Sequence, residues 1–577
     1  MRRFRSSVAL LGVAALAGSL VSVATAATAA PAAPASPGAT SYVVLARDAA
    51  SVNSTIASVQ AAGGRVERVN RAIGLVTASS AAAAFAATLT GKADVAGVAR
   101  DKPIGSVPKD TAHRDPVELE GRDDGGDHGK PGHGPGVAAE PLASYQWDMR
   151  MIGATPAGSY REQPGNKGVL VGIIDTGIDG THPDIAPNFN AALSRNFTRD
   201  IESIDGPCAD EPDKSCDDPA NVDEDGHGTH VAGTVAAPIN GLGMAGVAPN
   251  VSLVNLRAGQ DSGFFFLSPT VDALTYAGDH GIDVVNMSFY IDPWLYNCRA
   301  NPADSSAEQA EQGTIIDATQ RALTYARGHG VTLIAALGNE NTDLNAAIKT
   351  DATSPDFPLN TNRTRQVTSD CLDMPAQGAG VISVSSVGPS GKKSDFSNYG
   401  LGQNDVAAPG GFYRDFAGTP QNRTPENLIL GPYPKNVALS NGDVDPVTGA
   451  SLTPFVIAQC SAASIDACAY YQLIQGTSMA APHAVGVAAL IVSEYGKRDR
   501  VHGGLTMAPA KVEKILRRSA TDVACPAPVI TYAAEGRDAS YDAACVGTAR
   551  NNSIYGDGIV NALRAVGEGD DGGKHDS

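Results

Sequence analysis

Positive charge is scarce in this 577-residue chain: 43 lysines and arginines stand against 62 aspartates and glutamates, a formal net charge of −19. That balance excludes a polyanion such as nucleic acid as the expected partner. Long apolar runs are scarce too. Val8 to Ala24 is preceded by Arg2, Arg3 and Arg5 and followed by the small-residue sites Ala24-Thr25-Ala26 and Ala27-Thr28-Ala29. This pattern reads as a secretory signal peptide over residues 1–29, with Arg2-Arg3 compatible with either export route. No second run of that length follows, so the expectation is a secreted, extracellular protein that is soluble and free of the membrane once the signal is cut.

Cysteine is rare, with eight residues, but even in number. Eight cysteines in an exported chain point to disulfides, for which about a hundred pairings exist. Short separations suggest Cys208 with Cys216, Cys460 with Cys468 and Cys525 with Cys545, leaving Cys298 for Cys371. Apolar residues run out between Lys109 and Gly136, where Asp123-Asp124-Gly125-Gly126-Asp127-His128-Gly129-Lys130-Pro131-Gly132-His133-Gly134-Pro135-Gly136 cannot bury a core. Residues 109–136 are therefore expected to be a disordered acidic linker, with His128 and His133 read as solvated or, less simply, as metal ligands. Residues 567–577 form an acidic, glycine-rich tail.

Three short segments carry chemistry. Val169-Leu170-Val171-Gly172-Ile173-Ile174-Asp175-Thr176-Gly177 reads as a buried parallel strand delivering Asp175 at its C-terminal end. Asp225-Gly226-His227-Gly228-Thr229-His230-Val231-Ala232-Gly233 opens a helix of small residues at His227. Gly476-Thr477-Ser478-Met479-Ala480-Ala481-Pro482-His483 places Ser478 at the start of a helix reaching Tyr495, with Pro482 tolerated in its first turn. A serine hydroxyl needs a base, imidazole titrates near neutrality, and a carboxylate must fix its tautomer. Each residue alone has an ordinary structural explanation; their joint occurrence in these contexts does not.

In order and context the three segments resemble the subtilisin-like serine proteases, the subtilase or peptidase S8 family. The resemblance implies catalytic roles for Asp175, His227 and Ser478, with His230 structural. The strand Val331 to Gly338 running into Asn339-Glu340 resembles the family's oxyanion-hole segment and implies that Asn339 donates to the developing oxyanion. The implied fold class is α/β, a doubly wound, mostly parallel sheet with flanking helices, over one catalytic domain at 143–566. Insertions are expected at 201–225, 293–313, 339–380 and 410–469.

Residues 41–105 alternate as strand (41–46), helix (52–62), strands (64–69 and 74–77), helix (81–90) and strand (95–99). This resembles the small α+β, ferredoxin-like propeptide of subtilases and implies an intramolecular inhibitor and folding aid, with a zymogen cut in or beside the linker. Counting in the family's register puts an acidic calcium ligand on Asp184 and a ligand loop on 238–244. There Asn240 would bind through its side chain and Pro238, Leu242 and Met244 through their carbonyls. The alternative is a plain surface turn around Gly241 and Gly243. A further acidic cluster between Asp205 and Asp225 reads as a solvated loop or a second calcium site.

Where the family's substrate-binding edge usually continues with small residues, Asn286-Met287-Ser288 is followed by Phe289-Tyr290-Ile291, which would narrow or reshape the pocket. Glu340 either favours a basic substrate side chain or is an exposed charge of little effect. The leading expectation is a monomeric, calcium-supported, secreted serine endopeptidase acting on polypeptide substrates, with its own propeptide as partner. A processing peptidase of narrow specificity is the nearest alternative, and a secreted binding protein on the same scaffold the next.

Overall fold

The computed structural model describes residues 39–101, 117–120, 140–210, 214–358 and 360–567. The signal segment 1–29, all of the linker except 117–120, and residues 568–577 lie outside them.

The first unit runs β1 (Thr40–Ala46), α1 (Val52–Ala61), β2 (Arg65–Asn70), β3 (Leu75–Ser80), α2 (Phe85–Leu89) and β4 (Val95–Arg100). Its strands form an antiparallel sheet in the order β2-β3-β1-β4. Alternation by two residues gives the sheet two apolar faces. Val44, Val76, Ala78 and Val98 pack under α1 and α2 against Val59, Phe85 and Leu89. Val43, Leu45, Leu75 and Ala99 face the opposite way, into a core shared with the larger body. The second helix is shorter than the expected 81–90, because the Ser80 hydroxyl accepts the Ala82 N–H and holds the chain in a turn until Phe85.

The larger body is built on seven parallel strands: β5 (Leu170–Ile174), β6 (Arg195–Asn196), β7 (Ser252–Arg257), β8 (Val284–Met287), β9 (Thr332–Ala336), β10 (Val381–Val387) and β11 (Val406–Pro409), ordered β11-β10-β9-β8-β5-β7-β6. Being covered on both faces, the strands are near-continuous Val, Ile, Leu and Ala. Val171, Ile173, Val284 and Ile334 point to one face, against α3 (His227–Ala236) and α6 (Thr477–Tyr495). Ile174, Val285, Met287, Leu333 and Ala335 point to the other, against α4 (Leu267–Asp279) and α5 (Ser306–Gly328).

The first unit sits on α4 and α5. Arg68 pairs with Asp272 at 2.8 Å and Arg100 with Glu311 at 2.7 Å, and Arg321 donates to the Ala46 carbonyl at 2.7 Å. Asp101 accepts the Ser268 N–H at the start of α4 at 3.2 Å; burial raises its carboxyl to about 7 despite that bond.

The insertion at 410–469 supplies most of a three-stranded antiparallel sheet, β12 (Ile429–Tyr433), β13 (Val456–Cys460) and β14 (Cys468–Ile474). Disulfides join Cys208–Cys216, Cys298–Cys371, Cys460–Cys468 and Cys525–Cys545, the pairs suggested by separation. From β5 the chain first adds β7 on one side, then crosses to β8 on the other. The carboxyl ends of β5, β8 and β9 therefore open onto a crevice at a topological switch point, where open α/β sheets place their sites.

Candidate active site

Asp175 follows β5 directly and is fully buried. Its Oδ1 accepts the Thr176 N–H at 2.8 Å and the His227 Nδ1–H at 2.7 Å. That fixes the imidazole tautomer and turns Nε2 toward the cleft.

His227 is held by the start of α3, which lies against the turn after β5. A Cβ on Gly228 would come within 2.1 Å of the Gly177 carbonyl, so only glycine permits this approach. Asp223 organises the same corner: its carboxylate accepts N–H groups from Gly226 (2.8 Å) and Thr229 (2.9 Å) and the hydroxyls of Thr176 and Thr229. Sequence reasoning saw Asp223 only as one member of an acidic stretch. Three residues on, His230 is buried, donates from Nε2 to the Ile429 carbonyl at 3.1 Å, and is driven down to about 4 chiefly by burial. It is a neutral packing residue.

Ser478 is the second residue of α6, where backbone N–H groups have no intrahelical acceptor and negative charge is favoured. Pro482 lies one turn deeper than the first-turn position expected from sequence. It therefore deprives the Ser478 carbonyl of its helical donor, and the Ser288 hydroxyl, itself held by the Asn286 amide, supplies a replacement at 3.0 Å. In return the Ser478 hydroxyl donates to the Ser288 carbonyl at 3.3 Å. The residue ending β8 thus both repairs the helix and holds the hydroxyl.

Asn339 follows β9. Its Oδ1 accepts the N–H and the hydroxyl of Thr477 at 3.0 and 2.9 Å, which directs the amide nitrogen away from Thr477. Asp175 thus holds His227, and Ser478, His227 and Asn339 line one cavity together with Phe289, Tyr290, Asp292 and Asp373.

A short segment of the linker reaches this cavity. Residues 117–120 form a turn in which the Glu118 carboxylate lies 3.4 Å from His227 Nε2. Gln475 donates its backbone N–H to the Glu118 carbonyl and its amide to the Val117 carbonyl, while Arg414 and Arg537 hold Glu120. Burial disfavours the His227 imidazolium, but the charges of Asp175 and Glu118 and their hydrogen bonds outweigh it and raise His227 well above its ordinary value. In this arrangement the base faces a carboxylate and the hydroxyl faces a carbonyl. Nothing in the local sequence singled out Glu118.

The expected calcium residues Asp184 and 238–244 are adjacent, and the Glu140 carboxyl acts on Asp184 while both its oxygens are buried without a hydrogen-bond partner among the described residues. Asp184 accepts from the Asn240 amide (2.9 Å), the Met244 N–H (3.0 Å) and the Tyr471 hydroxyl (2.8 Å); burial raises it to about 6 despite these bonds. The Asn240 oxygen accepts the Leu242 N–H, and the Gly243 N–H goes to Gln459. Asp184 and the loop to which the register pointed thus lie side by side. Of the acidic stretch between Asp205 and Asp225, Asp218 pairs with the buried guanidinium of Arg257, which Asp200 and Asp261 also reach from outside that stretch.

Residues 166–558 match the sequence model of the subtilase family, peptidase S8. The chain belongs to the subtilase family. Subtilisin DY of Bacillus licheniformis is 28% identical over 327 residues, covering 57% of this chain and 77% of the relative. The nisin leader peptide-processing serine protease NisP of Lactococcus lactis subsp. lactis is 28% identical over 355 residues, 62% of this subtilase but only 45% of NisP. This chain therefore spans less than half of NisP's length. Among solved structures, the epidermin leader peptide-processing serine protease EpiP of Staphylococcus aureus shares the fold at a TM-score of 0.56 and 21% identity, covering 92% of this subtilase and 98% of that chain. No helix among the described residues is long and apolar enough to cross a membrane.

Proposed function

We propose that this subtilase is a secreted serine endopeptidase. Ser478 Oγ attacks the peptide carbonyl carbon as His227 Nε2 takes its proton, and the carbonyl oxygen becomes an oxyanion accepting from the Ser478 N–H and the Asn339 amide. His227 then passes the proton to the departing amine, the C–N bond breaks, and an acyl-enzyme remains. Water, deprotonated by the same imidazole, releases the acid and restores Ser478. The observation that carries this reading is the 2.7 Å bond from His227 to a fully buried Asp175 in the cleft that holds Ser478 at a helix start.

The unit at 41–105 is read as a propeptide. Its support is the docking on α4 and α5 and the approach of Glu118 to His227, which must be withdrawn before the base can serve Ser478. A narrow processing role is the second reading, favoured by the structured insertion at 410–469 and by the names of NisP and EpiP. Labelling by a fluorophosphonate tests the catalytic reading: wild type is labelled and Ser478→Ala is not. An unlabelled wild-type chain would leave the binding-protein reading.

A further inference from the structure

The cavity beside Ser478 is unusually acidic. Asp292, Glu340 and Asp373 line it with Asn339 and Phe289, and no lysine or arginine does so among the described residues. Asp292 and Asp373 come from separate segments and are 4% and 3% exposed. Asp373 Oδ1 has no hydrogen-bond donor within the described residues. Lys349, whose charge acts on Asp373, is turned instead to the Cys371 carbonyl at 3.2 Å and over the Tyr296 ring, outside the cavity. Asp292 Oδ1 faces a second carboxyl, Asp356, whose other oxygen accepts the Tyr290 hydroxyl. An unpaired carboxylate this deeply buried is costly unless a cation or a proton joins it.

The walls have the matching apolar part. Phe289 stacks on Phe265 with ring centroids 4.2 Å apart, and both rings line the cavity with Ser478 and the acids. Long basic side chains combine a methylene stem with a charged head, so they suit a pocket lined by both aromatic rings and carboxyls. An aliphatic or aromatic side chain would offer no donor to Asp373 Oδ1.

Resting on the catalytic reading above, we infer that this cavity receives the side chain preceding the scissile bond and selects arginine or lysine there, with Asp373 and Asp292 as specificity-determining residues. Burial, then neighbouring carboxylates, raise Asp292 and Asp373 well above the ordinary range, and a guanidinium beside them would oppose that shift.

Two measurements on the secreted chain test this. Benzamidine, a cation without a peptide, and the uncharged benzamide are titrated calorimetrically into wild type and Ser478→Ala. Benzamidine is expected to bind at least tenfold tighter, with the difference lost in Asp373→Asn. Peptides differing only in the residue before the cut are then compared by kcat/KM. Arginine or lysine is expected to exceed leucine and phenylalanine at least 100-fold, and Asp373→Asn and Asp292→Asn to lower the arginine-to-leucine ratio at least tenfold. Equal cleavage after leucine and arginine, or benzamidine binding no better than benzamide in wild type, would overturn the inference. Absence of all cleavage and of fluorophosphonate labelling would instead overturn the catalytic reading, and benzamidine binding would then decide the pocket alone.

Discussion

Glu118→Gln in the uncut chain keeps the shape of the side chain beside Gly476 while removing its charge from His227. Both side chains are nearly enclosed, 7% and 13% exposed, so solvent does little to screen the contact. Hydrogen bonds to charged groups contribute about 1.5–3 kcal/mol; at 3.4 Å the lower end applies, about a tenfold change in how often the segment leaves the cleft. The pH dependence follows from the direction of the shift. His227 is raised in the folded chain by Asp175 and Glu118 against the effect of burial. The contact therefore contributes fully below the ordinary imidazole value of about 6.5 and is lost as pH rises through the higher folded value. Losing Glu118 also frees more neutral base at mildly acid pH, in the same direction. Maturation of Glu118→Gln, followed by gel and N-terminal sequencing, should thus run about tenfold faster than wild type near pH 6, with the advantage fading at alkaline pH. Equal rates at both pH values, or an advantage that grows with pH, would refute the reasoning.

Asn339→Ala should lower kcat by roughly 10²–10³, the effect of losing one oxyanion donor, with KM little changed; a loss confined to KM would assign Asn339 to substrate binding. Dialysis against EDTA should lower Tm and added calcium restore it, as the reading of Asp184 and the 238–244 loop as a calcium site requires; an unchanged Tm would contradict that reading. Cys298→Ala with Cys371→Ala opens a link spanning a sequence separation of 73 and should cost about 4 kcal/mol on chain-entropy grounds. Urea denaturation checks this, and an unchanged midpoint would contradict it.

Local pattern carried much of the architecture into the sequence reading. The apolar run before Asp175, the small-residue helix from His227 and the helix beginning at Ser478 appear where periodicity and motif put them, as β5, α3 and α6. What could not be read was convergence. Asp373 lies in the 339–380 insertion and Asp292 just before the one at 293–313, yet the fold brings both to the cavity that Ser478 lines. Asp218 reads as one member of the acidic stretch between Asp205 and Asp225 until Arg257 is seen beside it, together with Asp200 and Asp261 from outside that stretch. Register counting pointed to Asp184 and the 238–244 loop, but Gln459 and Tyr471, which bond to them, are remote in sequence. Glu118 stands in a segment whose composition argues only for a linker.

The most direct test of the central claim compares the secreted products of wild type and Ser478→Ala by intact mass and N-terminal sequence. The account predicts a wild-type product that has lost the 41–105 unit and a Ser478→Ala product that retains it. Identical cutting of both chains would contradict self-maturation through Ser478.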